Sequence, residues 1–412
     1  MPKSVKLSLL ATSVALVLAI FLGVNAHGVH AAGDQQDGAY RQINVYAEVL
    51  QHVQSDYVTD PNINVVTNGA LRGLLESLDA DSSYLTPEDY KTYKADKGGK
   101  AQVGINTSKR YGYATVISVV PGSPAEKAGL NDGDIIEGIG AQDTRDLSLA
   151  MIQLMLQGAP GSELQLAVIR RGKADPDKMT LNRVLVTEPA VSETQYENSS
   201  ILYLKPMILD KEHVNQLEAR VKGMTKAGNK KILLDLRDVA AGDVPEAVRA
   251  ANLFLKSGTI ASLEGQKFPK QIFAADPAKS LNTTAPMVVL VNRGTSGPAE
   301  LLAAAIGDNH RGDLVGEKTF GEGSMQKTFE LKDGSAVILS VAKYASPGGK
   351  KFEDDAVTPQ TVVASALDNF DNVDDSTPGP TGKPAAIPKK APVAPDDQLT
   401  KALDMLKDKA AA

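Results

Sequence analysis

The side chains able to do chemistry are few in kind across the 412 residues. There is no cysteine, which excludes a thiol nucleophile, a thiolate-bound zinc or iron–sulfur site, disulfides and lipidation of a Cys. His52, His213 and His310 lie far apart beyond the N-terminal segment, so no multi-His metal site, and no cofactor, is expected. Hydroxyl, carboxylate and amine chemistry remain. A serine hydroxyl attacks a peptide carbonyl only when a base takes its proton, and a desolvated lysine can be neutral and act as that base. Gly321-Glu322-Gly323-Ser324 lacks the Lys-Ser/Thr ending of a phosphate loop. His310 follows a helix end and reads as a solvated terminus residue. Asp235 and Arg237 read as an ion pair inside the fold. The net charge of −6 argues against a nucleic-acid partner, which calls for a basic face.

The elements that must position such groups fall into blocks. Lys3 and Lys6 precede an almost wholly apolar run at 7–24, followed by small residues at Ala26, Ala31 and Ala32. This is the order of a secretory signal at 1–31, with an uncleaved membrane anchor as its rival. Either way the bulk of the chain is exported, to the periplasm or the outer face of a membrane, and meets a membrane only through this segment. Region 36–97 is helical in pattern: Val45, Val49, Val53 and Tyr57 form one stripe, Leu71, Leu74, Leu75 and Leu78 another. Thr86-Pro87-Glu88-Asp89 marks a helix start with Thr86 as N-cap. Residues 371–396 are a Pro-rich linker with too few large apolar residues to pack. Residues 397–412 resume a helix, with Leu399, Leu403 and Leu406 on one face, expected to dock on the body or on a partner.

Between these lie two β-containing blocks. In 98–190, β-rich runs at 103–106, 114–120, 164–169 and 179–181 alternate with turns, and one helix spans 147–157. The string Pro121-Gly122-Ser123-Pro124-Ala125-Glu126-Lys127-Ala128-Gly129-Leu130-Asn131-Asp132-Gly133-Asp134 resembles the central signature of bacterial PDZ domains. That resemblance implies capture of a polypeptide C-terminus or extended peptide by strand addition. The binding strand and carboxylate loop would be Val103, Gly104, Ile105 and Asn106. The opposite wall would be the helix with Leu149, Ile152, Gln153 and Leu156. Region 191–370 alternates strands (201–204, 231–236, 287–292, 313–317, 336–343) with helices (211–227, 245–255, 298–306), the pattern of an α/β core. The fold class is α+β and multidomain: a helical N-terminal segment, a barrel-like PDZ domain and an α/β core, whose peptidase type is what the resemblance described next implies.

The order of these blocks resembles the carboxyl-terminal processing peptidases, or tail-specific proteases. Local strings agree: residues 78–85 with the family's "LDPHSxYL", although Ala80 and Asp81 replace Pro and His; Leu234-Asp235-Leu236-Arg237 with "LDLR"; Gly316-Glu317-Lys318-Thr319-Phe320-Gly321 with the start of "GEKTFGKG"; then Tyr344-Ala345-Ser346-Pro347-Gly348-Gly349 and Val357-Thr358-Pro359. The family hydrolyses unfolded or tagged polypeptides with a Ser–Lys dyad assisted by a Gln. Its nucleophile, three residues before the Glu of "SASASE", aligns with Gly297. Its base, the Lys of "FGKG", aligns with Glu322. The assisting Gln is retained as Gln326. Pro298 has no N–H beside the expected oxyanion site, and Ala241 replaces one Gly of "DLRNNPGG". The resemblance therefore implies a catalytically degenerate member with no intact dyad. Such a member would bind polypeptide C-termini as an adaptor or scaffold, with an active family peptidase or envelope proteins as further partners. Two alternatives stand beside it. One is an active serine endopeptidase with a relocated dyad, Ser296 with Lys318 as base, or with Glu322 as base for water. The other is a structural envelope protein.

Overall fold

The computed structural model describes residues 30–95, 101–110, 112–170, 173, 175–365 and 396–409. All but the end of the expected leader, and all but the last residue of the expected linker, lie outside them. The chain divides into two compact units, up to Ala70 and from Leu71 onward. Among the described residues no helix is long and apolar enough to cross a membrane.

The helical region forms α1 (His30–Asp56) and α2 (Ile63–Glu76), and the last member of each expected stripe, Tyr57 and Leu78, falls just beyond its helix. A short strand β1 (Ser83–Leu85) and α3 (Pro87–Ala95) follow. Thr86 Oγ1 accepts the Asp89 N–H at 3.2 Å, the cap its sequence predicts.

The PDZ-like block contains β2 (Ile105–Arg110), β3 (Tyr113–Val119), α4 (Pro124–Lys127), β4 (Ile135–Ile139), β5 (Gln142–Asp143), α5 (Leu149–Leu156), β6 (Glu163–Ile169) and β7 (Asp177–Asn182). Its sheet runs β2-β3-β4-β6-β7, with β5 paired to β4. The expected strand at 103–106 is shifted. Gly104 sits at φ +84°, outside the extended region, and a Cβ there would lie 2.2 Å from that of Ser123, so the strand starts after it. β2 is left as an edge strand of this sheet.

The core alternates β8 (Ser192–Tyr196), β9 (Ile201–Lys205), α6 (Lys211–Gly223), β10 (Lys231–Asp235), α7 (Val244–Asn252), β11 (Thr259–Gly265), β12 (Phe268–Ala274), β13 (Met287–Val291), α8 (Pro298–Asp308) and β14 (Asp313–Gly316). It ends with β15 (Ser324–Glu330), β16 (Ala336–Ala345), α9 (Phe352–Asp355), β17 (Thr361–Val362) and α10 (Asp397–Asp408). The central sheet has the order β17-β14-β13-β10-β9-β8. Its strands are parallel except at the β8 edge. All five residues of β13 are buried, as expected for a parallel strand covered on both faces. α6, α7 and α8 cover one face with Leu217, Ala250 and Leu302. α10 covers the other with Ala402 and Leu406 against Leu233, Val288 and Val315. A second sheet, β1-β16-β11-β12 with β15 on β16, completes the core.

Candidate functional site

Strands of the central sheet end at the loops that carry the chemistry. After β13, Thr295 Oγ1 donates to Leu236 O (2.8 Å) and the Ser296 N–H to Val239 O (3.0 Å). These bonds tie the turn before α8 to the loop after β10. Gly297 is the N-cap of α8, at φ +54° and ψ −116°. Those angles are costly for a residue with a Cβ. A Cβ there would meet nothing within 4 Å, so packing does not demand the glycine, although the backbone favours it. Pro298, in the first turn, has no N–H to offer.

Glu300, wholly buried in α8, locks this turn to the loop after β14. Its carboxyl accepts the N–H groups of Gly297 (3.0 Å), Gly321 (2.8 Å) and Glu322 (2.8 Å). Thr319 Oγ1 donates to it as well. Burial pushes Glu300 up to about 7 against the pull of those four donors.

Glu322 lies at the end of that loop. Ser296 Oγ donates to its Oε2 at 2.5 Å. Burial, with the nearby Asp81 charge, pushes its carboxyl up to about 7, against the Ser296 bond. Gly297 and Glu322 line one cavity of about 260 Å³, with Val244, Leu301, Tyr344 and Phe352. A second cavity, of about 210 Å³, lies beside Glu322 and is lined by Asp81, Arg110 and Glu353. Asp81 accepts a hydrogen bond from Ser324 Oγ, and another from Gln326 Nε2 at 3.1 Å. Desolvation raises the Asp81 carboxyl from its ordinary value, against the Ser324 hydrogen bond.

The positions singled out from the sequence thus separate. Positions 297 and 322 share a cavity. Gln326 is exposed and turned onto Asp81 and Ser324 (2.5 Å). Ser296 and Lys318 do not form a pair: Ser296 has no exposed surface and is bonded to Glu322, whereas Lys318 is exposed. A one-residue shift along the turn points the hydroxyl inward. Asp235 and Arg237 are paired at 2.7 Å, with Asp235 fully buried. His310 is exposed after the end of α8. Among the described residues no cluster of three or more His, Cys, Asp or Glu is arranged to hold a metal.

In the PDZ-like block, Val103, Ile105, Ile152 and Leu156 belong to its hydrophobic core, and Leu149 is buried too. These side chains therefore contribute to the packing between the strand and the helix of this domain. Gln153 is exposed and Asn106 partly so, its Nδ2 donating to Ser118 Oγ at 2.9 Å. The amides of Val103 and Gly104 have no backbone acceptor among the described residues. The sequence reading passed over Arg110, whose Nη2 donates to Phe320 O (2.5 Å) and whose guanidinium lies 4.1 Å over the Phe320 ring. Asp81, Glu300 and Thr319 served only as landmarks in strings. The signal available was that position 81 departs from the family's string in the same electrostatic sense as position 322.

Comparison with known proteins follows the same division. The sequence model of peptidase family S41 matches residues 200–363, and that of the PDZ domain matches residues 93–169. Over 312 residues the chain is 31% identical to a carboxyl-terminal-processing protease of Synechocystis sp., covering 74% of this chain and 72% of that protein. The chain belongs to the carboxyl-terminal-processing protease family. A carboxy-terminal processing protease of Bacillus subtilis is 27% identical over 85% of this chain and 75% of its own length. The chloroplastic carboxyl-terminal-processing peptidase 2 of Arabidopsis thaliana is 31% identical over 72% of this chain, which spans 60% of that relative. Among solved structures, the photosystem II D1 C-terminal processing protease superposes with a TM-score of 0.65 at 26% identity, over 77% of this chain and 86% of that one. The multidomain α+β architecture, with a PDZ domain and an S41 peptidase core, is that of this family.

Proposed function

We propose that this chain is an exported family member that captures polypeptide C-termini through its PDZ domain and does not cut them, acting as an adaptor or scaffold. One observation carries the reading. The residue at the nucleophile position is Gly297, and the neighbouring hydroxyl, Ser296, is sealed against Glu322. Acyl transfer needs a nucleophile at the cleft, a base and an oxyanion donor. Here the cleft offers a hydrogen atom, a carboxyl that burial tends to keep protonated, and a proline without its N–H. The edge strand β2 and the amides of Val103 and Gly104 support peptide capture, since such amides can hold a terminal carboxylate. Export rests on the basic, apolar and small-residue order of the first residues.

Two measurements test this reading on the full chain. An unfolded, tagged substrate is expected to stay intact, and a serine-acylating probe to leave no adduct. A labelled C-terminal peptide should bind saturably as the free acid and about ten-fold more weakly as the amide, the scale of losing a charge-assisted contact. Cleavage abolished by Ser296→Ala would establish a relocated endopeptidase instead. Lack of saturable binding would leave a structural role in the envelope.

A further inference from the structure

Two carboxyls, Glu322 and Asp81, stand at the cleft. Where the family's strings carry Lys and His, this chain has Glu322 and Asp81, and the two carboxyls are close enough for Asp81 to raise Glu322. Glu322 is half-buried. Its Oε2 is taken by Ser296, and its Oε1 has no hydrogen-bond donor among the described residues. Next to this carboxyl is the 260 Å³ cavity with the apolar surfaces of Val244, Leu301, Tyr344 and Phe352. At 297, which also lines this cavity, a Cβ would stand in open space.

We propose that this remodelled cleft takes the side chain of a lysine from an extended polypeptide, with the ammonium on Glu322, backed by Asp81, and the methylenes against the apolar wall. The proposal rests on the reading that the ligand is a polypeptide, and adds a second recognition point separate from the PDZ domain. Lysine is favoured over arginine by the acceptor count. A guanidinium gains most from two oxygens of one carboxylate, whereas an ammonium is satisfied as a point charge by one. A four-carbon stem buried along an apolar wall with its head at a polar end is the ordinary habit of this side chain.

The groups facing Glu322 set the pH dependence. Ser296 donates to it, and Glu300 holds its N–H. Asp81 faces it from the turn before β1 and Glu353 from α9, the latter paired with Lys343 at 3.3 Å. Lys109 and Arg110 of β2 also face it across the second cavity. Lys109 is paired with Glu76 at 2.7 Å, whereas Arg110, which donates to the neutral Phe320 carbonyl, keeps its charge on that side. A cation entering here meets an acidic pair, and Glu322 releases its proton to solvent as the ammonium arrives.

The test uses the full chain and unfolded peptides amidated at the C-terminus, so that the carboxylate-binding loop contributes nothing. Each carries one central Lys, Arg or norleucine, and affinity is read by calorimetry. At about pH 8 the lysine peptide should bind roughly ten-fold tighter than the norleucine peptide, with arginine between them. The ratio should shrink several-fold at about pH 6, as Glu322 keeps its proton. Glu322→Gln should abolish it and Asp81→Asn reduce it. Val244→Phe, which fills the cavity, should weaken lysine and norleucine peptides together. Equal affinities for lysine and norleucine would overturn the proposal. So would no saturable binding of the lysine peptide, or a preference that survives Glu322→Gln. Should that variant not fold, a lysine preference in the native protein that is flat between those pH values overturns it equally. Loss of free-acid binding at the PDZ domain would leave these outcomes unchanged, and so falls on the other reading alone.

Discussion

At position 297 the backbone takes angles of φ +54° and ψ −116°, and Pro298 follows it. On the proposed reading, installing a Ser–Lys dyad therefore takes more than two side chains. Gly297→Ser regains a hydroxyl in open space at a backbone cost of roughly 1–2 kcal/mol. Glu322→Lys regains an amine, but Asp81 beside it stabilises the ammonium and so opposes its role as a base. Pro298 still withholds an oxyanion donor. The double variant should hydrolyse an unfolded substrate barely above background. Adding Asp81→His should shift the rising limb of its pH–rate profile to lower pH. Adding Pro298→Ala should raise kcat by a further ~10²-fold, the usual worth of one such donor. Equal kcat with and without Pro298→Ala would place the oxyanion site elsewhere. Glu322 also marks stability. Its carboxyl is raised from 4.5 to about 7, so between those values the folded chain binds more protons than the unfolded one, and stability falls as pH rises. From pH 5 to pH 8 the native protein should lose about 1–3 kcal/mol relative to Glu322→Gln, measured by urea unfolding. A parallel pH dependence in both would contradict the assignment.

Strands buried on both faces, such as β10 and β13, were legible because their apolar runs have no polar face to hide. The helices of the core were legible from their periodicity and caps: Asp210 accepts the His213 N–H at 2.9 Å at the start of α6. β8, β12 and β15 were not. Ser192–Tyr196 has no buried residue, Phe268–Ala274 holds Pro269 and Lys270, and Ser324–Glu330 is largely exposed. Such strands are specified by pairing with neighbours rather than by their own pattern. The same limit applied to the cleft. Aligned strings located positions 297 and 322, but not the inward turn of Ser296 or the four-donor role of Glu300. Those depend on how the loops after β10, β13 and β14 meet. In the PDZ domain, periodicity alone could not tell which helix residues pack inward, and Ile152 and Leu156 belong to its buried cluster.

On the scale of the molecule, α10 joins the chain's end to the sheet that carries the cleft. Lys231 Nζ donates to Leu406 O (2.6 Å), Lys409 pairs with Asp313 (2.6 Å), and Gln398 Nε2 donates to Val363 O (2.9 Å). Arg237, paired with the buried Asp235, reaches Asp396 at 2.9 Å, and these carboxylates hold it firmly charged. It opens the loop that continues to Val239, where the Ser296 N–H is anchored. Truncation before residue 396 would therefore do two things. It would uncover Leu233, Val288 and Val315, with a loss of roughly 3–6 kcal/mol for about two large apolar side chains. It would also remove one of the two carboxylates facing Arg237, loosening the loop beneath the cleft. Urea unfolding should show the first effect, and faster amide exchange at 237–242 and 295–297 the second. If the truncated chain kept its stability and its exchange rates, α10 would be a passenger on the sheet. The cleft would then owe its shape to the strand ends alone.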